Sequence, residues 1–280
     1  MGATKVVILA GGMGTRLREE TEYKPKPMVE IGGRPILWHI MKLYAHHGFK
    51  QFVICLGYKG DAIRDYFLSY ETRNRDFTVR LGCRELEIHG KNHTEDGWSV
   101  TLADTGEKTL TGGRIKRIEK YVAGERFMAT YGDGVADLDI GRLLAFHQKQ
   151  GKLATVTAVR PSSRYGELAI DQGVVRSFRE KPQVQEGWIN GGFFVFEPGV
   201  FDLIVKEQES IEEGLLLRLV EREQLAVYQH DSFWQCMDTY REMELLNSLW
   251  DSGRAPWRVD RKDMGLAREL RNGGRRGGAD

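Results

Sequence analysis

Val6-Val7-Ile8-Leu9-Ala10-Gly11-Gly12-Met13-Gly14-Thr15-Arg16-Leu17, followed shortly by Lys24-Pro25-Lys26-Pro27, is the stretch on which the reading of this chain turns. Its opening apolar run predicts a short buried strand, and the glycines after it predict a turn at the strand's exit. Glycine lacks a Cβ and tolerates positive φ, so backbone N–H groups in such a turn can close around an anion. The loop is neither a Walker A sequence, which needs Gly-Lys-Ser/Thr, nor the GxGxxG of a dinucleotide fingerprint. Taken alone, Gly-Gly-x-Gly suits a tight strand exit equally well. The cations downstream favour the phosphate. Arg16 ends the loop, and Lys26 stands between two prolines that hold the backbone extended and keep Lys24 and Lys26 off a helix face. Two cations placed differently beside an anion nest point to a triphosphate rather than a single phosphate.

Outward from the loop, Gly32-Gly33 predicts a turn and Pro35 suits a first helical position. Ile36, Ile40, Leu43 and Tyr44 then recur at helical spacing until Gly48, and a strand is expected over 51–56. This β-loop-helix-β unit implies a parallel sheet, and a second unit starts at Gly60 with the stripe Ala62, Ile63, Tyr66, Phe67. The alternating runs Phe77-Thr78-Val79-Arg80-Leu81 and Trp98-Ser99-Val100-Thr101-Leu102 predict antiparallel strands inserted in the sheet. Thr111-Gly112-Gly113-Arg114 opens a helix, either to meet a nucleotide with its N–H groups or as an ordinary helix with Arg114, Lys116 and Arg117 on a solvated face. A strand over 126–131 delivers Gly132-Asp133-Gly134 to its carboxyl end, the edge where open α/β sheets bind ligands. Further strands are expected at 153–159, 167–170, 174–178, 192–196 and 225–229. The fold class is therefore α/β, a mixed and mainly parallel central sheet flanked by helices.

Composition narrows the function. The 280 residues suffice for one large α/β domain, and a formal charge of +1 gives the chain no electrostatic reason to seek nucleic acid or an anionic membrane. No apolar run reaches the length of a signal peptide core or a membrane span, so a soluble cytoplasmic protein is expected. Cys55, Cys83 and Cys236 form neither a CxxC pair nor a zinc spacing, and Cys55 reads as a small buried apolar group. The histidines show no HExxH pattern, and His39, His46 and His47 are read as structural. Beyond Trp257 the chain turns to Arg, Gly and Asp; a domain over 1–257 and a disordered basic tail over 258–280 are expected.

Candidate chemistry gathers at loop positions. Asp133, flanked by glycines after a buried strand, offers a hard oxygen ligand suited to Mg²⁺; the same aspartate can serve an Asx-turn. Asp137 and Asp139 read as turn or N-cap groups. Glu180 and Lys181 suit sugar hydroxyls and phosphate or a surface ion pair, and the Asn190 amide offers the donors and acceptor that a sugar hydroxyl requires. Asp238, at a strand-to-helix junction, suits a helix cap.

Leu9 to Leu17 with Lys24-Pro25-Lys26-Pro27 resembles the signature of the sugar-1-phosphate nucleotidyltransferases, which have a Rossmann-like fold. Gly112-Gly113-Arg114-Ile115-Lys116-Arg117, Tyr131-Gly132-Asp133-Gly134-Val135-Ala136-Asp137, Asn190-Gly191-Gly192-Phe193-Phe194 and Phe233-Trp234-Gln235-Cys236-Met237-Asp238-Thr239 resemble its cytidylyltransferase branch. The motifs occur in order as far as about Trp257. The resemblance implies transfer of a cytidylyl group from CTP to a sugar 1-phosphate, glucose 1-phosphate first, with UTP or dTTP, another sugar, or a non-catalytic binding protein as rivals. It implies Mg²⁺ on Asp133 and Asp238, and Arg16 and Lys26 stabilising the transition state with Asp133. It further implies that Leu9, Ala10, Gly11, Gly12, Met13, Gly14, Thr15, Arg16, Lys26, Thr109, Arg114 and Gly132 hold the nucleotide. Glu180, Lys181 and Asn190 are left for the sugar phosphate, and a homo-oligomer is implied. Two places depart from the branch: the segment 210–215 lacks its usual Trp and Pro, and Cys236 replaces a Pro.

Overall fold

The computed structural model describes residues 4–12, 14, 17–83, 85–90, 95–122, 124–161, 167–171, 174–179 and 187–259. Lys5–Leu9 lies within a seven-stranded sheet ordered Leu225–His230, Ala154–Val159, Ile189–Phe196, Phe127–Tyr131, Lys5–Leu9, Gln51–Leu56, Ser99–Asp104. Lys5–Leu9 pairs in parallel with both neighbours, Val7 facing Val53 on one side and Ala129 on the other. Ile189–Phe196 alone runs against its neighbours. A strand covered on both faces reads as a continuous apolar run, and so it is here. Val6 and Ile8 enter one core with Ile36, Ile40 and Tyr44; Val7 and Leu9 enter the other with Ile115, Phe127 and Phe196.

The helix Ile36–His46 starts one residue later than the sequence suggests, with Pro35 as its N-cap rather than its first residue, and buries Ile36, Leu37, Ile40, Met41, Leu43 and Tyr44. His39 is buried in it, its Nε2 2.8 Å from the Ile31 carbonyl oxygen and its Nδ1 accepting from Trp257 Nε1, which matches a structural histidine. Cys55 is buried in Gln51–Leu56, and burial pushes its thiol pKa up to about 12. Asp139 caps Ile140–Gln150 by accepting from the Arg142 N–H.

Two expectations are corrected. The run around 98–102 forms the strand Ser99–Asp104, which extends the main sheet in parallel beside Gln51–Leu56 rather than as an antiparallel insertion. Its crossover comes through the helices Gly60–Leu68 and Tyr70–Asn74, whose length permits a parallel return. Phe77–Arg80 does pair antiparallel, but with Glu85–Ile88 in a separate hairpin outside the main sheet. Among the described residues no helix is long and apolar enough to cross a membrane.

Candidate active site

Leu9 ends its strand beside two others, and the loops leaving them are stitched together by backbone. Ala10 N–H donates to the Cys55 carbonyl, Tyr58 N–H to Gly11, and Gly132 N–H to Leu9. Gly14 holds φ at +62°, a left-handed conformation for which glycine is suited, and its carbonyl accepts from the Thr21 hydroxyl. A Cβ on Gly11 would clash with the guanidinium of Arg114. That guanidinium is buried and donates to the carbonyls of Gly11, Leu56, Gly106 and Glu107 and to the Thr105 hydroxyl. The solvated-face alternative for Arg114 is thereby set aside. Its charge is directed into the loops that frame the cavity, so it shapes the glycine turn.

Pro25 is extended as expected, but Lys26 is not kept out of helical structure: it opens the one-turn helix Lys26–Met28, where Pro27 is tolerated because the missing N–H has no partner to lose in a first turn. The Lys26 ammonium still turns to two carboxylates. It donates to Asp133 Oδ2 at 2.6 Å and to Asp238 Oδ1. Burial alone would lower the Lys26 pKa; the charge and hydrogen bond of Asp133, then those of Asp238, outweigh it and hold the pKa above the ordinary lysine value. The two aspartates meet because Trp234–Cys236 pairs antiparallel with Gly134–Ala136, and Met237 N–H donates to the Asp133 carbonyl at 2.8 Å. Asp238 is not the cap of the helix that follows. Thr239 caps Tyr240–Asp251 in a reciprocal box with Glu242, whose carboxylate also accepts from the Asp238 N–H at 2.7 Å. The Asp238 side chain is left to face Lys26.

These groups line one cavity of about 420 Å³. Leu9, Gly11, Gly12 and Gly14 of the glycine loop line it together with Lys26, Thr109, Arg114, Gly132, Asp133 and Asp238. Ala10 is buried behind the loop. Asn190 does not line this cavity but reaches its edge, donating to the Tyr131 hydroxyl at 3.3 Å and accepting from Gly192 N–H. Met13, Thr15, Arg16, Glu180 and Lys181 lie outside the described residues. Besides the apolar Pro27 and Leu110, the cavity is also lined by Tyr131, Thr111, Ser210 and Glu212, which sequence reasoning did not assign to the site. A tyrosine just before Gly132-Asp133 was a readable signal for the first; the others depend on the tertiary approach of 210–215.

The cavity fits a divalent cation on chemical grounds. Two hard carboxylates from strand ends far apart in sequence converge closely enough for one ammonium to bond both. No group of three or more His, Cys, Asp or Glu side chains suited to a metal occurs among the described residues. Mg²⁺ favours one or two carboxylates completed by phosphate oxygens and water, so a pair suffices.

Residues 5–242 match the model of the nucleotidyl transferase family. The chain belongs to that family. As a nucleotidyl transferase it is 52% identical over 256 residues to the glucose-1-phosphate cytidylyltransferase of Salmonella typhi, covering 91% of this chain and 99% of that protein. The match to the protein of the same name from Salmonella typhimurium is equal in extent. Among solved structures, HddC from Yersinia pseudotuberculosis superimposes with a TM-score of 0.64 at 24% identity, covering 88% of this chain and 99% of that one. At that identity the likeness speaks for the nucleotidyl transferase fold alone, and it agrees with the mainly parallel sheet described above.

Proposed function

We propose that the protein transfers the cytidylyl group of CTP to glucose 1-phosphate, releasing CDP-glucose and pyrophosphate. The observation that carries the reading is the Lys26 ammonium between Asp133 and Asp238 in the lining of a cavity that the glycine loop shares, in a chain 52% identical to proteins of that activity. A phosphate oxygen of the sugar phosphate attacks the α-phosphorus of CTP in line, and the bond to the pyrophosphate oxygen breaks. The nucleophile is already anionic, so no general base is needed. What remains is to bring two anions together and to neutralise charge as it moves onto the leaving pyrophosphate.

This chain's groups divide that work. The loop N–H groups of 9–14 and the Thr109 side chain hold the nucleotide, and the Arg114 guanidinium keeps the loop in shape. Lys26 and Arg16 offset charge on the phosphates. Asp133 and Asp238 hold Mg²⁺, which when bound supplies charge neutralisation at the α-phosphate. Asn190, Glu180 and Lys181 hold the sugar phosphate. The pair of substrates, the metal and a homo-oligomeric state are parts of the same proposal.

Pyrophosphate release with Mg²⁺, measured across nucleoside triphosphates and sugar 1-phosphates, tests it. The highest rate is expected with CTP and glucose 1-phosphate. A maximum at CTP with another sugar is the second reading, favoured by the missing Trp and Pro in 210–215. Silence across the grid would overturn both.

A further inference from the structure

Glu212 brings a carboxylate to the wall of a cavity assigned to phosphates, where like charge repels. It stands in the single turn Ile211–Leu215, which Ser210 caps by accepting from the Glu213 N–H. One carboxylate oxygen accepts from the Tyr131 hydroxyl. The other accepts from the Thr111 hydroxyl at 3.3 Å, and that hydroxyl accepts from the Ile211 N–H at 2.8 Å. Tyr131 in turn accepts from Asn190 Nδ2. Thr111, Glu212, Tyr131 and Asn190 thus form a hydrogen-bonded chain from the helix Thr111–Arg117 to the strand Ile189–Phe196, across the end of the strand that carries Asp133.

The direction of each bond is fixed by chemistry. An ionised carboxylate only accepts, so the Tyr131 proton points to Glu212 and its oxygen is left to Asn190. Burial first, then the charge of Glu212, pushes the Tyr131 pKa up and keeps the phenol protonated. The ring is pinned as well: it packs edge-on against Phe194, and a Cβ on Gly192 would clash with it. A carboxylate using two of roughly four lone-pair sites retains acceptor capacity. Asn190 Nδ2 has a second proton with no partner among the described residues. The chain therefore presents an acceptor and a donor. A phosphate lacks the donor that would satisfy the carboxylate; a sugar hydroxyl is both donor and acceptor.

We infer that Glu212 is a specificity-determining residue that accepts a hydrogen bond from a hydroxyl of the sugar 1-phosphate, held in place for this by Tyr131 and Thr111. The inference rests on the sugar 1-phosphate reading above.

The test is calorimetric binding of glucose 1-phosphate, its monodeoxy analogues and CTP to the wild type, Glu212→Ala and Tyr131→Phe, with KM and kcat measured in parallel. Glu212→Ala is expected to weaken glucose 1-phosphate about tenfold, the scale of a hydrogen bond to a charged group, and to leave CTP within about twofold. One monodeoxy analogue binds the wild type correspondingly weakly and binds Glu212→Ala no worse than the parent sugar does. Tyr131→Phe, which keeps the ring packing, shifts the sugar in the same direction by less. An equal penalty for every analogue in wild type and Glu212→Ala overturns the inference, as does a loss confined to CTP, which would place the nucleobase there. Failure of the wild type to bind any sugar 1-phosphate would instead remove the reaction on which the inference rests, and the inference with it. Glu212 is solvent-exposed, so its replacement leaves the fold intact, and an unchanged thermal midpoint verifies this.

Discussion

Lys26 holds together two carboxylates that would otherwise repel across a few ångströms, and its side chain is only 11% exposed. Because its pKa in the folded chain is raised, the stabilisation is fully present below the unfolded lysine value and is lost only as pH rises through the raised one. Lys26→Met is therefore expected to lower the thermal midpoint at neutral pH, whereas Asp133→Asn, which removes one of the two repelling charges, lowers it less. Added Mg²⁺ should restore the midpoint of Lys26→Met more than it raises that of the wild type, because the cation binds the carboxylates the ammonium has vacated. Equal Mg²⁺ shifts in both would argue against the paired site. Both variants are expected to lose turnover by about 10²–10³-fold, the scale of removing a transition-state charge partner. At this scale the sequence was partly legible. Prolines on either side marked Lys26 as a cation held for local use, and glycines marked Asp133. That one ammonium would bond both aspartates was not legible, since it depends on contacts spanning more than a hundred residues.

A helix cap decides what Asp238 can do. The sequence admitted Asp238 as cap or metal ligand; Thr239 takes the cap, and Glu242 reaches back to the N–H groups of both residues. Thr239→Ala should cost about 1 kcal/mol of stability by denaturant unfolding, a common magnitude for a lost N-cap. It should also reduce turnover, since the backbone that presents Asp238 is held by the same box; unchanged turnover would separate cap from site. The neighbouring strand ends are joined by His230 and Asp137, 3.0 Å apart, with Ser232 donating to the same aspartate. Burial lowers the His230 pKa, but the Asp137 hydrogen bond, the Phe233 carbonyl and the charges of Asp137 and Asp231 outweigh it and raise it above 6.5. For Asp137 burial raises the pKa, and bonds from His230 and Ser232 hold it below 3.8. The histidine's contribution is complete below its unfolded pKa and fades as pH rises through the raised folded value; the aspartate's fades as pH falls through its depressed one. His230→Gln should thus lower the thermal midpoint more near pH 6 than near pH 8.5, where neutral imidazole forms no ion pair. An equal drop at both would mean that packing, not charge, holds the junction.

Over the whole molecule, the central strand, its glycine loop and the parallel units on either side were legible because each rests on local spacing and on an apolar run covered on both faces. Less legible were features set by distant parts of the chain. For Arg114 the sequence left a solvated face open beside the nucleotide contact that the resemblance implies, because nothing near it in sequence shows that loops from Gly11, Leu56 and Gly106 close over it. Closure at the other end was marked only by the last motif-like residue. Trp257 is 3% exposed, stacks on Phe233 at 5.4 Å, and donates to His39 in the helix Ile36–His46. Trp257 thereby packs on elements from early in the chain and from the segment leading to Asp238. If the folded unit extends to this tryptophan and no further, ending the chain at Val259 should leave the thermal midpoint and turnover unchanged. Trp257→Ala should cost about 3–5 kcal/mol, the range for deleting a large buried aromatic. It should also depress turnover, because Phe233 leads directly into Trp234–Cys236, the strand that sets Asp238 against Asp133. A midpoint lowered by the Val259 truncation as much as by Trp257→Ala would mean that residues beyond 259 belong to the folded unit.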